Sequence, residues 1–170
     1  MSLADPAGAW WAAKIRQFWR HLTGRVTGAE RAHLVEWLTP AQLALFERMY
    51  RADQRHGLDV VRSLRRQGHA SADLLLAGLL HDCAKSRAVG VWHRVGWSLG
   101  QRYGRRVRAL GARLPGFAAA YANLGGHAER SAELALAAGC STLAAELIRR
   151  QDEPSDSLLG EALRLADEAN

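Results

Sequence analysis

The sequence predicts an all-α fold, a compact multi-helix bundle, on three observations. Apolar residues recur at spacings of three and four along almost the whole chain. No convincing stretch alternates with period two, and short breaks of Gly, Pro, Ser or Thr divide the periodic segments. The first element is expected over about 7–22, where Trp11, Ile15, Phe18 and Leu22 share a face and Lys14, Arg16 and Arg20 lie elsewhere. A second runs from about Ala29 to Trp37. Thr39-Pro40 opens the next, because Thr suits the N-cap and Pro the first turn. Leu43, Phe46 and Met49 then point inward, and the pattern continues through Asp53 and His56 to Val60 and Leu64, ending near Gly68.

Ser71 caps a segment in which Leu74, Leu75, Leu76, Leu79 and Leu80 surround the axis, the mark of a central helix, and it leads directly into His81-Asp82. From Ala88 to Arg113, Trp92, Val95, Trp97, Leu99 and Leu110 mingle with arginines and glycines, predicting one or two irregular helices. Leu114–Gly126 reads as a turn and a short helix. A helix from about His127 to Ala138, closed by Gly139, follows. Ser141 or Thr142 caps another to about Arg150, and Pro154, Ser155 and Asp156 break the chain before a final helix from about Ser157.

The 170 residues, 48% of them hydrophobic, suit one domain with a sizeable core. The longest uncharged stretches, Leu114–Ala128 and Leu134–Ala145, are too short or too interrupted to span a bilayer. Asp5 and a run of Trp follow Met1 where a secretory leader would have a basic region and an apolar core, so a cytoplasmic protein is expected. Cys83 and Cys140 form no CxxC pair and are read as reduced and packed. The net charge of +6 and pI near 10.1 admit nucleic acid, acidic lipid or a phosphorylated small molecule as partner. Because nearly all of that charge is Arg, coding bias explains it equally well.

The chemistry concentrates at His56, His81 and Asp82. His56 shares a face with Met49, Val60 and Leu64, and His81 follows Ala77 by four residues and Leu74 by seven, so both imidazoles aim inward. Burying ionisable groups without a partner costs several kcal/mol as an order of magnitude, and a bound cation removes that cost. Two inward His and an adjacent Asp offer a metal suitable hard or borderline ligands. Core histidines bonded to carbonyls are the competing account. Asp53 and Asp59, three residues either side of His56, are candidates to hydrogen-bond a ligand histidine, or are exposed helix charges.

Arg55-His56-Gly57-Leu58-Asp59-Val60 followed by Leu79-Leu80-His81-Asp82-Cys83-Ala84-Lys85 resembles the HD superfamily of metal-dependent phosphohydrolases, whose ordered signature is H…HD…D. His81 to Lys85 is similar to the HD-x-G-K variant with Ala84 in the glycine position. Gly126-His127-Ala128-Glu129-Arg130-Ser131-Ala132 and Leu163-Arg164-Leu165-Ala166-Asp167 are similar to its later helices. The resemblance covers about Leu43 to Asn170. It implies a single HD-type helical bundle over 1–170, with 1–38 as an N-terminal helical appendage and 39–170 as the core.

The resemblance further implies that His56, His81, Asp82 and Asp167 hold one divalent transition metal ion (Mn, Co, Fe, Ni or Zn) that activates water against a small phosphorylated substrate, a nucleotide foremost. Asp82 would be catalytic as well as a ligand. Lys85 is either a phosphate ligand or a solvated helix-end lysine, and His127 either orients phosphate and passes a proton or merely opens a helix. The His pair of two-metal members is replaced by Ile148-Arg149-Arg150-Gln151-Asp152, which favours one metal, with Asp152 as an unusual second-site alternative. Asp167 rests on the resemblance alone, because periodicity places Leu158, Ala162, Leu165 and Ala169 inward and Asp167 opposite them. A catalytically quiet metal- or nucleotide-binding regulatory module is the alternative function. A third reading makes Trp10, Trp11, Phe18 and Trp19 with Lys14, Arg16 and Arg20 a weak membrane-surface contact. It adds Arg102, Arg105, Arg106 and Arg108 as a basic surface, although no specific nucleic-acid motif accompanies them.

Overall fold

The computed structural model describes residues 24–85, 89–154 and 158–170. Every regular element among them is a helix: α1 (Gly28–Trp37), α2 (Pro40–Arg48), α3 (Arg51–Arg66), α4 (Ala72–Leu80), α5 (Val91–Tyr103), α6 (Arg105–Gly111), α7 (Phe117–Gly125), α8 (His127–Ala137), α9 (Thr142–Arg149) and α10 (Leu158–Glu168). The fold is all-α, as the periodicity predicts. The helix expected over 7–22, and with it the Trp and basic residues read as a membrane contact, lies outside the described residues. No described helix is long and apolar enough to cross a membrane.

Local chemistry explains the boundaries. Thr39 accepts from the Gln42 amide while the Gln42 side chain accepts from the Thr39 amide, and Pro40 occupies the first turn of α2. Thr27 and Glu30 form the same reciprocal pair at the start of α1. Ser71 and Ser141 cap α4 and α9. Gly139, at φ 82°, closes the turn after α8 where a Cβ would be strained.

One expectation fails. The apolar pattern runs unbroken from Leu43 to Leu64, yet the helix breaks at Met49, whose backbone is extended (φ −62°, ψ 156°). The cause lies downstream, in Gln54. Its side-chain amide donates toward the carbonyls of Phe46, Glu47 and Met49 at 3.1, 3.2 and 3.3 Å, satisfying groups that the end of α2 leaves open. The break frees α3 to take its own direction.

The main core lies around α4, whose Leu74, Ala77, Leu79 and Leu80 are fully buried. Helices α3, α9 and α10 pack on α4, and α8 packs on α9. Leu34 and Leu38 join this core from α1 and the residue after it. A small second cluster of Val89, Ala120 and Leu124, with Trp97 against it, holds α5 on α7, and α6 packs back on α5.

Glu30 fastens α1 to α3, accepting from Arg55 at 2.7 Å and Arg62 at 2.9 Å. Partial burial would raise its carboxyl, but the Thr27 amide and the Arg55 guanidinium outweigh that and bring it down to about 2. A depressed carboxyl contributes stability that is complete above about 4.5 and lost as pH falls through about 2. Glu30→Gln should therefore reduce stability at pH 7 by on the order of 2 kcal/mol after allowance for solvent screening. Urea midpoints between pH 5 and 2.5 check this, since the parent should lose its advantage over the variant across that window.

Candidate metal centre

Four side chains from three separated stretches meet at the end of α4. Residue His81 terminates that helix, with Asp82 in the turn after it, while His56 comes from α3 and Asp167 from α10. The nearest ligating atoms of His56, His81 and Asp82 all lie within 4.8 Å of one another. His56 Nε2 is 2.6 Å from Asp167 Oδ1, and His81 Nε2 is 3.3 Å from the same oxygen and 3.5 Å from Asp82 Oδ2. The two imidazole rings stand edge to face with centroids 5.1 Å apart.

Gly57 makes the approach possible. A Cβ there would lie 2.5 Å from the Leu79 carbonyl oxygen and 3.2 Å from its carbon, so only glycine lets α3 come this close to α4 and bring His56 beside His81. Because the obstacle is backbone, Gly57→Ala should cost about 2 kcal/mol and push His56 away from His81. Gly28→Ala, where a Cβ meets nothing within 4 Å, is the control and should be neutral or slightly stabilising. Thermal denaturation of the two variants checks the contrast.

The electrostatics favour a positive charge among these residues. Burial opposes a charged His81, yet Asp82 and Asp167 overcome it and raise the imidazole to about 9. Burial would likewise raise Asp82, but His81, Lys85 and His127 hold it well below the usual carboxylate range. Asp167 is pulled down against burial by His81 and His56. The Nδ1–H of His81 donates to the Gly78 carbonyl at 3.0 Å, which turns Nε2 toward the two carboxylates. That Nε2 and Asp82 Oδ1 are buried without a hydrogen-bond partner among the described residues. Two orphaned polar atoms beside two further donors fit a cation, and a His2Asp2 set suits a divalent transition ion.

Lys85 and His127 join the same cluster. Lys85 Nζ lies 2.5 Å from Asp82 Oδ2, so it is not a solvated helix-end lysine. The Nδ1–H of His127 donates to the Leu124 carbonyl at 2.6 Å, leaving Nε2 facing the Gln151 amide at 3.1 Å and Asp82 Oδ1 at 3.4 Å. Helix α8 also fixes the turn that carries Asp82, since Ser131 Oγ accepts from the Ala84 amide at 3.0 Å. No family model, curated protein or solved structure matches this sequence.

Three expectations about these surroundings need correction. Asp53 pairs with Arg94 through both oxygens, at 2.6 and 2.8 Å, and Asp59 pairs with Arg55 and Arg62, so both are engaged by arginine rather than by a ligand histidine. The acceptor that orients the candidate ligand His81 is the Gly78 carbonyl instead, and the Leu124 carbonyl does the same for His127. In α10, Leu158 and Leu165 are 91% and 48% exposed, while Gly160, Ala162, Leu163 and Ala166 are buried, so the helix is turned relative to the stripe that its leucines suggest. Small residues let α10 lie close to α3 and α4, and this rotation brings Asp167 over the two histidines.

A cavity of about 790 Å³ opens beside the cluster, reaching from Asp82, Lys85, His127 and Asp167 to Trp97, Arg102 and Arg108. Asp152 lies on its wall. Of the arginines read as a basic surface, Arg102 and Arg108 line this cavity, whereas Arg105 and Arg106 face solvent. Gln151, Trp97 and Arg94 were not singled out by sequence reasoning as parts of the site. Only the density of Arg and Trp along 92–113 hinted at the last two.

Proposed function

We propose that this chain is a metal-dependent phosphohydrolase of the HD type acting on a nucleotide or another small phosphate ester. The observation that carries the reading is the pair of buried atoms without a hydrogen-bond partner among the described residues, His81 Nε2 and Asp82 Oδ1, set beside His56 and Asp167. Those four residues are the ones that the resemblance orders as H…HD…D. They would hold one divalent ion (Mn, Co, Fe, Ni or Zn), which when bound supplies a nucleophilic water near neutral pH and polarises a phosphoryl oxygen.

The remaining steps belong to the chain. Lys85 keeps a positive charge on the cavity wall where phosphoryl oxygens would lie, and Asp82 holds it there. His127, its Nδ1 fixed on the Leu124 carbonyl, presents Nε2 as the atom able to hold or release a proton beside Asp82. Hydrolysis adds water across the P–O ester bond, giving phosphate and an alcohol. The cavity, within the usual range of about 300–1,000 Å³ for small-ligand sites, has room for a nucleotide.

A second reading, a regulatory module that binds metal or nucleotide without turnover, is favoured by Gln151. Its amide contacts His127 where two-metal relatives in the resemblance carry histidines. Stripping the protein of metal, adding back each of the five ions and measuring phosphate release from p-nitrophenyl phosphate and a nucleotide panel tests both. Metal-dependent release is expected. Nucleotide binding without release under every ion would instead select the regulatory module.

A further inference from the structure

We propose that the cavity is built for a substrate with two separated anionic groups, the second of them bound by Arg102 and Arg108. Placement of the first group at the metal cluster rests on the phosphohydrolase reading. The second subsite stands on geometry of its own.

Arg108 is set in place before any ligand arrives. Its guanidinium lies 5.5 Å from the centroid of the Trp97 ring. Trp97 is in turn braced by the edge of Tyr121, with centroids 5.5 Å apart. The stem of Arg108 runs against Gly100, where a Cβ would come within 2.9 Å of the Arg108 Cβ. An arginine held over an indole by cation–π attraction keeps its forked donors free for an oxyanion, and holding the fork beforehand reduces the entropy lost on binding.

Neither Arg102 nor Arg108 has a carboxylate partner among the described residues, whereas Arg55, Arg94, Arg149 and Arg164 each hold one. The sequence around them offers no local carboxylate, and Arg94 of the same stretch finds its partner only by reaching Asp53 of α3. From Cys83 to Ala128 the chain has eight Lys and Arg and no Asp or Glu. A guanidinium without a carboxylate partner among the described residues, on the wall of the same cavity as Lys85 and Asp82, is a site for a second anion. A monoester with one phosphate would leave it unused.

The test compares adenosine 3′,5′-bisphosphate with adenosine 5′-monophosphate by titration calorimetry on the full chain. The parent should bind the bisphosphate more tightly, by about tenfold or more, with an advantage that shrinks as salt rises. Arg102→Gln combined with Arg108→Gln should cost the bisphosphate about tenfold to a hundredfold while leaving the monophosphate within about twofold. Arg108→Lys, which keeps the charge and loses the fork, should fall between. The pair Arg105→Gln and Arg106→Gln, with the same loss of charge on the solvent side, should change neither ligand. Equal weakening by both double variants, no preference in the parent, or no binding of either nucleotide would overturn the subsite. A selective Arg102/Arg108 effect without phosphate release under any metal would uphold the subsite and remove only the hydrolase reading.

Discussion

His81→Ala is expected to abolish stoichiometric metal binding. The parent should carry or take up close to one divalent transition ion per chain, and the variant should bind it at least about a hundredfold more weakly, with phosphate release lost in parallel. His81 has the strongest grounds for this expectation because its side chain is almost wholly buried and its Nδ1–H is already committed to Gly78, leaving Nε2 as the one ring atom aimed at the carboxylates. Truncation would also remove the group that faces both Asp82 and Asp167, so stability should drop along with affinity. His81→Gln keeps most of the side-chain volume and separates the two effects: its helical circular dichroism should match the parent while its metal is gone. Elemental analysis after gel filtration is the measurement. Full occupancy in His81→Ala would defeat the metal assignment, and so would a parent that takes up none of the five ions.

The parts of this centre differ in how much of them the chain's periodicity displayed. His56 and His81 are legible because each sits at helical spacing from large apolar residues, Val60 and Leu64 for one and Leu74 and Ala77 for the other, and all four of those are buried. Asp167 is illegible by that method for a definite reason. Counting apolar stripes weights leucine over glycine and alanine and follows Leu158 and Leu165, yet those two turn outward and α10 packs through Gly160, Ala162, Leu163 and Ala166. Glycine and alanine carry little weight in an apolar count, yet they let a helix approach its neighbours closely, so they mark the buried face together with Leu163. The break between α2 and α3 was hidden similarly, since the Gln54 side chain that ends α2 lies within the next helix. The Arg-lined wall of the cavity depends on Trp97, Gly100 and Arg108 meeting across two helices, which no single helical period expresses.

Asp53→Ala should destabilise the protein by about 3 kcal/mol and loosen α5 from the proposed metal centre. Asp53 is buried in α3 one turn before His56, and both of its oxygens receive Arg94 of α5. Burial disfavours the charged guanidinium, but Asp53 more than offsets this and raises Arg94 above its ordinary value. Removing the carboxylate would leave that cation partly buried and uncompensated, and such unpaired charges cost about 3–5 kcal/mol, here near the lower end because Arg94 keeps some solvent contact. Replacing both partners tests whether the cost comes from the orphaned charge. Asp53→Leu with Arg94→Met should recover most of the lost stability, as apolar pairs of similar volume commonly do. Since neither residue touches the proposed ion, the double variant should retain metal at the parent's stoichiometry. Chemical denaturation and elemental analysis on the same preparations read both quantities. A double variant no more stable than Asp53→Ala would show that the ion pair contributes more than the avoidance of a lone charge, and loss of metal from it would tie the position of α5 to the geometry of His56 and His81.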